Sequence, residues 1–504
     1  MVAKPTDNTM TRIFSSAELR DLATPYADRI IGCIQQNRLD DAVSLCNEMK
    51  ESQIILHDFF ADSCTVLWSW IGERLGEELI ENMFRYVFEQ TARRQTFGLG
   101  NSLSPGLAVL TLAKIWRAHC CFESGEYPGK FRITEDGEKF TFLLDPCGSG
   151  GRLWKKGWYE PSRGGRLSVK ARPWTFNRKG FPYYCIHCAF LNEILPYEVI
   201  GYPLVPIDPL RNPEDVCTWY IYKDPNMIPN RFYERSGLDN KKISGKPGKS
   251  RYYSEDQLRQ MARPTTERIR ESLHNGDLRE AKKLCRDVKD EFMFLHDLYV
   301  HMLVATYTFI SDKMGESALG EAIDLQFEKC VAAQIISKVE IMSVREKLEF
   351  LALRIFGVDI IHGSGYPKGK FTIEETDNSI VFTLDPCGSG GRMLRGGAYE
   401  PMSRRQKWFE ALVNSFSKNA SRLLPDRFVR WSLSLGAVLI MDRKPYGQGR
   451  TKSSSTWSFG RQNMPYYCCL CGKLQEKIPF PCLEILPPVT KYSPCTWRIE
   501  KDYM

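Results

Sequence analysis

The chain has 504 residues, of which 43% are hydrophobic, 26% charged and 12% aromatic. This composition is typical of a globular protein and excludes a disordered or fibrous class. The net charge of +8 is mild for this length, and a nucleic-acid-binding domain usually concentrates more positive charge. Because no apolar stretch follows Lys4 and the longest apolar run, at 432–441, is about half of a membrane crossing, the sequence predicts a cytoplasmic protein without a membrane partner.

The first predicted elements are helices. Apolar residues recur at three- and four-residue spacing through 30–49, which is the period of an amphipathic helix. Asn37 falls between two such stretches, where a left-handed residue commonly ends a helix. Longer helical patterns follow over 54–86 and 292–325. The early part of the chain is therefore predicted to be a helical bundle.

A histidine and an aspartate stand side by side near the start of each long helical pattern, as His57–Asp58 and His296–Asp297. Such a pair supplies an imidazole and a carboxylate for acid–base catalysis. A local hydrogen bond on the helix surface is the alternative explanation. The four residues are candidate catalytic groups.

The pattern then changes to alternating residues over 131–144 and 371–384, and both segments predict a β-hairpin. The nine residues Leu-Asp-Pro-Cys-Gly-Ser-Gly-Gly-Arg follow at 144–152 and recur unchanged at 384–392. A repeat of roughly 240 residues indicates duplication of a whole domain. The predicted fold class is α+β: a tandem duplication of one module, each an N-terminal helical bundle followed by a β-hairpin and a cysteine-pinned, loop-rich β region.

The repeat also sets the predicted domain boundaries. The first module covers 1–235 (helical 12–122, cysteine-rich 123–235), a linker covers 236–255, and the second module covers 256–504 (helical 256–361, cysteine-rich 362–504), with an insertion at about 402–450.

Four cysteines recur in each predicted module. They are Cys147, Cys185, Cys188 and Cys217 in the first, and Cys387, Cys468, Cys471 and Cys495 in the second. In a reducing cytosol, clustered cysteines indicate metal ligands or nucleophiles rather than disulfides. Four thiolates suit a tetrahedral zinc ion or, alternatively, an iron–sulfur cluster. Buried cysteines without a metal are the plainest alternative, and a purely structural zinc is another.

The repeated glycine-rich loop offers further candidate groups. Its backbone N–H groups could approach an anion or a sulfur, and Arg152 or Arg392 could clamp a carboxylate. Cys147 or Cys387 could instead be a nucleophile stabilised by those N–H groups. A tight turn without a chemical role would use the same residues.

The loop at 145–150 resembles the cofactor loop of DNA amino-methyltransferases, which reads Asp-Pro-x-Cys-Gly-Ser-Gly after a first strand. One residue of that pattern is missing between Asp145 and Gly148, and residues 153–161 make a poor helix start where the family has a helix. The family's Asn/Asp-Pro-Pro-Tyr signature is absent. The resemblance implies methyl transfer as one alternative and assigns no residue.

These features together predict a zinc-thiolate or cysteine-dependent enzyme of hydrolase or lyase type, acting on a small anionic substrate. A non-catalytic binding module with structural zinc is the main alternative, and a nucleic-acid binder is a weaker one. The two modules are expected to differ, since Asp62 in the first is replaced by His301 in the second. The first is expected to be the functional one, because the insertion lies in the second.

Overall fold

The computed structural model describes residues 12–91, 103–120, 126–241, 248–330, 337–362, 368–401, 404, 447–477 and 483–501. We call residues 12–241 the N-terminal half and residues 248–501 the C-terminal half. The described residues form a mixture of helices and two antiparallel sheets, which confirms the predicted α+β class. The apolar run at 432–441 and most of the predicted insertion at 402–450 lie outside the described residues.

The N-terminal half begins with five helices, Ser16–Leu22, Tyr26–Gln35, Leu39–Leu75, Glu78–Thr91 and Pro105–Cys120 (α1 to α5). A capping box between Ser15 and Glu18 starts α1. Asn37 separates α2 from α3 with a left-handed φ of 57°, as the sequence predicts. The helix α3 then continues unbroken through His57 for 37 residues and ends at Gly76, whose φ is 87°.

The later helices of the N-terminal half are short: Gly150–Lys155, Ile186–Ala189, Leu195–Ile200 and Asn230–Glu234 (α6 to α9). The C-terminal half contains Glu255–Ala262, Thr265–His274, Leu278–Met314, Glu316–Lys329, Val344–Phe350, Val358–Ile361, Gly390–Arg395 and Tyr466–Lys477 (α10 to α17). Like α3, α12 is 37 residues long and follows a left-handed residue, Gly276.

The long helices α3 and α12 pack against each other at the centre of the molecule. The rings of Phe60 and Tyr299 stack there, with centroids 5.6 Å apart and planes 5° from parallel. Trp68 Nε1 donates to Thr306 Oγ1 at 3.2 Å. Both helices are buried over much of their circumference, which is typical of core helices. By length and composition α12 is the one described helix that could cross a membrane, yet 83% of its most apolar window is buried within the protein.

Each half contains one four-stranded antiparallel sheet. The strands are Phe131–Glu135, Lys139–Leu144, Ile207–Asp208 and Cys217–Tyr222 (β1 to β4), then Lys370–Glu375, Ser379–Asp385, Leu483–Leu486 and Cys495–Glu500 (β5 to β8). Their orders are β1-β2-β4-β3 and β5-β6-β8-β7. Both predicted hairpins are therefore confirmed. In the first sheet Leu144 pairs with Cys217, and in the second Leu384 pairs with Cys495.

Each half also docks a segment onto the other half's hairpin. The N–H groups of Tyr252 and Tyr253, just before α10, donate to the two carboxylate oxygens of Glu135 on β1 at 2.7 and 3.0 Å. Ile13, just before α1, donates in the same way to Glu375 on β5 at 2.7 Å. Part of the predicted linker is thus packed against the N-terminal half, and the two halves are interlocked.

A six-residue helix, α6, begins inside the glycine-rich loop at Gly150 and ends at Lys155, so only the first three residues of 153–161, the segment expected to be a poor helix start, are helical. Glycine has a low helix propensity, so tertiary packing overrides the local preference there. The first Cys-x-x-Cys lies at the start of another short helix, with Cys185 as the N-cap of α7.

Candidate functional site

The four predicted ligands of the N-terminal half border one cavity of about 150 Å³, which we call cavity one. Cys147 stands in the loop after β2, and Cys217 begins β4, the strand paired with β2. Cys185 and Cys188 are three residues apart at the start of α7, so their side chains project from one face of the helix. Residues from three distant parts of the chain thus meet at one place.

The C-terminal half has the matching arrangement. Cys387, Cys468, Cys471 and Cys495 border a second cavity of about 180 Å³, which we call cavity two. Cys495 begins β8, opposite the end of β6, and Cys468 and Cys471 lie in the first turns of α17. The eight cysteines predicted from the repeat therefore divide into two sets of four, each facing a single cavity.

The paired glycines of the loop allow two sulfurs to approach the same backbone. A Cβ atom added at Gly150 would lie 2.5 Å from Cys185 Sγ, and one at Gly151 would lie 3.3 Å from Cys147 Sγ. Gly390 is in the same relation to Cys468 Sγ, at 3.0 Å. A side chain at Gly150 would displace Cys185, which explains the first glycine of the pair.

Several N–H groups point at these sulfurs. Gly151 N–H donates to Cys147 Sγ at 2.9 Å, and Trp219 Nε1 donates to Cys217 Sγ at 3.2 Å. In the C-terminal half Gly391 N–H donates to Cys387 Sγ at 2.9 Å. Such donors stabilise a thiolate and are a common second layer around sulfur-ligated metals.

Burial opposes ionisation of the same thiols. It raises the pKa of Cys147, and the backbone N–H groups of the loop offset only part of that effect. Burial also raises the pKa of Cys185 well above its usual value, and the neighbouring Cys147 and Cys217 raise it further. A buried group of thiols ionises readily only when a cation compensates the charge. Burial therefore disfavours a free nucleophilic thiolate at Cys147 and Cys185.

Within the described residues, no three His, Cys, Asp or Glu side chains are gathered closely enough to form a metal site. The predicted ligands border common cavities, and the metal itself stays a prediction.

The predicted catalytic groups of the N-terminal half do come together, around a serine. Nε2 of His57 lies 2.9 Å from Oγ of Ser149, and Nδ1 lies 3.0 Å from Oδ1 of Asp58. Arg152 donates to both oxygens of Asp58, at 2.8 and 3.1 Å, and Lys156 donates to Oδ2 at 3.0 Å. A hydrogen-bonded chain thus links the glycine-rich loop to α3.

The C-terminal half repeats this chain with one cation fewer. His296 lies 2.9 Å from Ser389 Oγ and 3.0 Å from Asp297, and Arg392 donates to Asp297 at 2.9 Å. Gly396 takes the place of Lys156 in the sequence register of the two loops.

Burial and the neighbouring charges determine the protonation states of His57 and Asp58. Burial lowers the pKa of His57, and the hydrogen bond to Asp58 offsets that only in part. For Asp58, burial favours the neutral acid, but His57 and the charges of Arg152 and Lys156 prevail and hold its pKa well below the usual range. A neutral imidazole therefore stands between an ionised carboxylate and a hydroxyl that borders cavity one. This is a route by which a proton can move between Ser149 and His57.

Arg152 binds a carboxylate of the protein itself and not the ligand carboxylate that the sequence predicted. Arg152 does clamp a carboxylate bidentately, but the carboxylate belongs to Asp58. The arginine and Lys156 thereby hold the loop on α3. Asp62 and His301, proposed as a difference between the halves, are both buried, and neither is among the described residues that border cavity one or cavity two.

Sequence reasoning missed three hydroxyl groups at cavity one. Ser149 was treated only as a small residue, although it recurs as Ser389. Tyr184 recurs as Tyr467 in the repeated Pro-Tyr-Tyr-Cys, which was a usable signal. Tyr299 comes from the opposite half and gave no signal.

Comparison with known proteins gives no family. No protein-family model matches the chain, and no curated protein or solved structure is significantly similar to it. The loop's resemblance to methyltransferases gains no support, because each loop here leaves a small antiparallel sheet.

Proposed function

We propose that the two halves are duplicated copies of one module and that each binds a metal ion through its four cysteine thiolates, most simply zinc. We further propose that the protein is an enzyme of hydrolase or lyase type, acting on a small molecule held in the cavity. The single observation that carries the proposal is the division of eight recurring cysteines into two sets of four, each bordering one cavity.

The duplication is supported by features that unrelated domains would not share. The strand orders match, the cysteine at the start of the fourth strand pairs with the residue that begins the loop motif, and both halves contain the Ser–His–Asp chain. Each feature involves residues from two or more distant segments, so coincidence in one segment would not produce it.

The chemistry of the donors supports a metal. Soft thiolates select zinc or an iron–sulfur cluster, and the N–H groups directed at the sulfurs suit both. A metal held by all four thiolates has no open coordination position, so it would act as a Lewis acid only on a substrate that displaces one of the thiolates. Ser149 and His57 would move a proton at the cavity wall.

For cavity one, the substrate is better described as small and neutral than as anionic. Among the described residues that border cavity one there is no lysine or arginine, and Arg152 is bound to Asp58. An anion entering this cavity would lose its hydration without gaining a protein cation, which is costly.

A non-catalytic module with structural zinc is the second candidate. It is favoured by the burial of Cys147, Cys185 and Cys217 and by the contacts that tie Arg152 to α3. In that case the hydrogen bonds of His57 to Ser149 and Asp58 would serve only to hold the glycine-rich loop on α3.

The experiment is elemental analysis of the purified full chain together with its visible absorption spectrum. We expect about two zinc ions per chain and a colourless protein. A brown protein containing iron and sulfide would support the cluster instead. A folded protein without metal would overturn the proposal.

A further inference from the structure

We infer that Ser149 is the nucleophile of an acyl-transfer reaction in cavity one, with His57 as its general base, and that the substrate is a small neutral carboxylic ester. Ser389 and His296 repeat the arrangement at cavity two. This inference rests on the proposed function, because it names the reacting group and the substrate class of the proposed hydrolase.

The direction of the hydrogen bonds makes Ser149 a donor to the imidazole. Asp58 binds both N–H groups of the Arg152 fork, so it is an ionised carboxylate that can only accept. Nδ1 of His57, 3.0 Å from Asp58, therefore carries the proton of the neutral ring. Nε2 has the lone pair and accepts the hydroxyl proton of Ser149 across 2.9 Å. Hydrolases of several unrelated folds activate a serine in this order, from hydroxyl to imidazole to carboxylate.

The hydroxyl of Ser149 is withdrawn from bulk water but adjoins space for a ligand. The residue is only 5% exposed, and it borders cavity one, whose volume is about 150 Å³. Ser389 has the matching position at cavity two. A molecule bound in either cavity would therefore lie beside a serine that already donates its proton to a histidine.

Two tyrosine hydroxyls stand where negative charge would develop. The hydroxyl of Tyr299 lies 3.4 Å from Oγ of Ser149 and 2.5 Å from the hydroxyl of Tyr184. One tyrosine donates to the other, so one phenol proton remains for a carbonyl oxygen attacked by Ser149. Burial raises the pKa of both tyrosines, which keeps that proton in place. A fixed donor at this point stabilises the oxyanion of the transition state.

The walls of cavity one indicate the class of ester. Trp116, Leu191 and Met302 contribute apolar surface, and no lysine or arginine is among the described residues that border the cavity. A charged acyl group would lose its hydration there without gaining a protein cation. A cavity of roughly 150 Å³ in another protein binds benzene, so the ester must be small as well as neutral.

The reaction consumes ester and water and returns both side chains to their starting state. Oγ of Ser149 bonds to the carbonyl carbon while its proton passes to Nε2 of His57. The bond from that carbon to the alcohol oxygen breaks, the alcohol takes the proton from Nε2, and the acyl group stays on the serine. Water then gives a proton to Nε2 and attacks the same carbon, which releases the carboxylic acid as the proton returns to Oγ.

Acid-quenched peptide mass spectrometry of the full chain exposed to vinyl acetate tests this, since the probe is a neutral ester no larger than benzene. We expect an acetyl group on Ser149 and another on Ser389, with release of acetaldehyde. His57→Gln can form hydrogen bonds but cannot take the proton, so it should slow acetylation of Ser149 roughly 10²- to 10⁴-fold and leave Ser389 unchanged. The matched control is Ser236→Ala, at a serine that is also 5% exposed and is bonded to Glu193. It should change neither rate.

Acetylation of neither serine, of Ser389 alone, or of Ser149 at the same rate in His57→Gln overturns the inference. The acetylation sites of the unaltered protein decide the first two outcomes without any variant that must fold. Metal content is measured on the same samples. A reactive Ser149 in metal-free protein would refute the metal proposal alone, and metal-loaded protein with an unreactive Ser149 would refute this inference alone.

Discussion

The two cavities share a cysteine framework and differ in the walls around it. Cavity one is bordered by hydroxyl, imidazole and amide groups, among them Tyr299, His119 and Asn192. Cavity two is bordered by Ser389, Tyr467 and Arg354 beside the rings of Phe59 and Phe60. The recurring motifs set the cysteines, the serine and the histidine in both halves. The residues that differ between the two walls come in part from the long helix of the opposite half.

Two sites with identical motifs thus differ in the walls around them. A substitution on α12 alters cavity one, and a substitution on α3 alters cavity two, because the helices cross at Phe60 and Tyr299. A motif can therefore remain identical while the surroundings that decide its ligand change.

The largest expected difference between the halves concerns the aspartate of the His–Asp pair. Asp58→Asn would leave Arg152, whose side chain is only 3% exposed, without its counter-charge. Breaking a buried ion pair from one side typically costs about 3–5 kcal/mol, so we expect that loss in the free energy of unfolding, measured with urea. Asp297→Asn should cost about 1 kcal/mol less, because it has no partner equivalent to Lys156.

The control for this pair is Asp41→Asn, at an exposed ion pair with Arg38. Its loss should stay below about 1 kcal/mol. Equal losses in the free energy of unfolding for Asp58→Asn and Asp41→Asn would contradict a structural role for the hydrogen bonds between Asp58 and Arg152.

The glycine pairs give the next largest difference. Gly150→Ala would place Cβ 2.5 Å from Cys185 Sγ, so the loop or α7 must move. Overpacking of this kind costs about 1–3 kcal/mol. Gly390→Ala, with its Cβ 3.0 Å from Cys468 Sγ, should cost less.

Thermal unfolding of both glycine variants measures the difference. Gly137→Ala serves as the control, since nothing lies within 4 Å of its added Cβ. A larger loss at Gly390 than at Gly150 would show that the first loop is the looser of the two.

The smallest expected effect is a difference in pH dependence. Burial lowers the pKa of His119 from 6.5 to about 3, and His57 nearby lowers it further. Between those values the unfolded chain binds a proton that the native protein excludes, so the free energy of unfolding falls as the pH drops from about 6.5 to about 3. His119→Asn should flatten this decline by at most about 1.4 kcal/mol per pH unit.

Asp359 in the C-terminal half should change the free energy of unfolding with pH in the opposite direction. Burial raises its pKa from 3.8 to about 6, so the native protein holds a proton that the unfolded chain has released. The free energy of unfolding therefore falls as the pH rises from about 3.8 to about 6. Asp359→Asn should remove that decline, and urea unfolding at several pH values measures both slopes. If His119→Asn and Asp359→Asn changed the slope of the free energy of unfolding against pH in the same direction, the two pKa shifts would be contradicted.

Much of the fold follows from local patterns in the sequence. The hairpins were predicted from alternation and the helical regions from their three- and four-residue spacing, because both periods are set by backbone geometry. The left-handed Asn37 was predicted from its position between two helical stretches. The helix α6 was missed because two glycines begin it, and glycine disfavours helix unless packing compensates.

The site was predictable only where the repeat exposed it. The repeat identified the eight cysteines and brought Arg152 and His57 forward as candidates. It could not show that Arg152 binds Asp58, since they are separated by 94 residues. The contribution of Tyr299 to cavity one depends on how α3 and α12 cross, and residue spacing contains no information on that packing.

Metal stoichiometry in cysteine variants of the full chain tests the central claim most directly. The claim predicts about two metal ions in the unaltered protein, about one in Cys185→Ser or Cys468→Ser, and none in the double variant. Cys46→Ser, at a buried cysteine in a separate core cluster, should retain both. Metal content that is zero in the folded protein, or unchanged in the double variant, would contradict the claim.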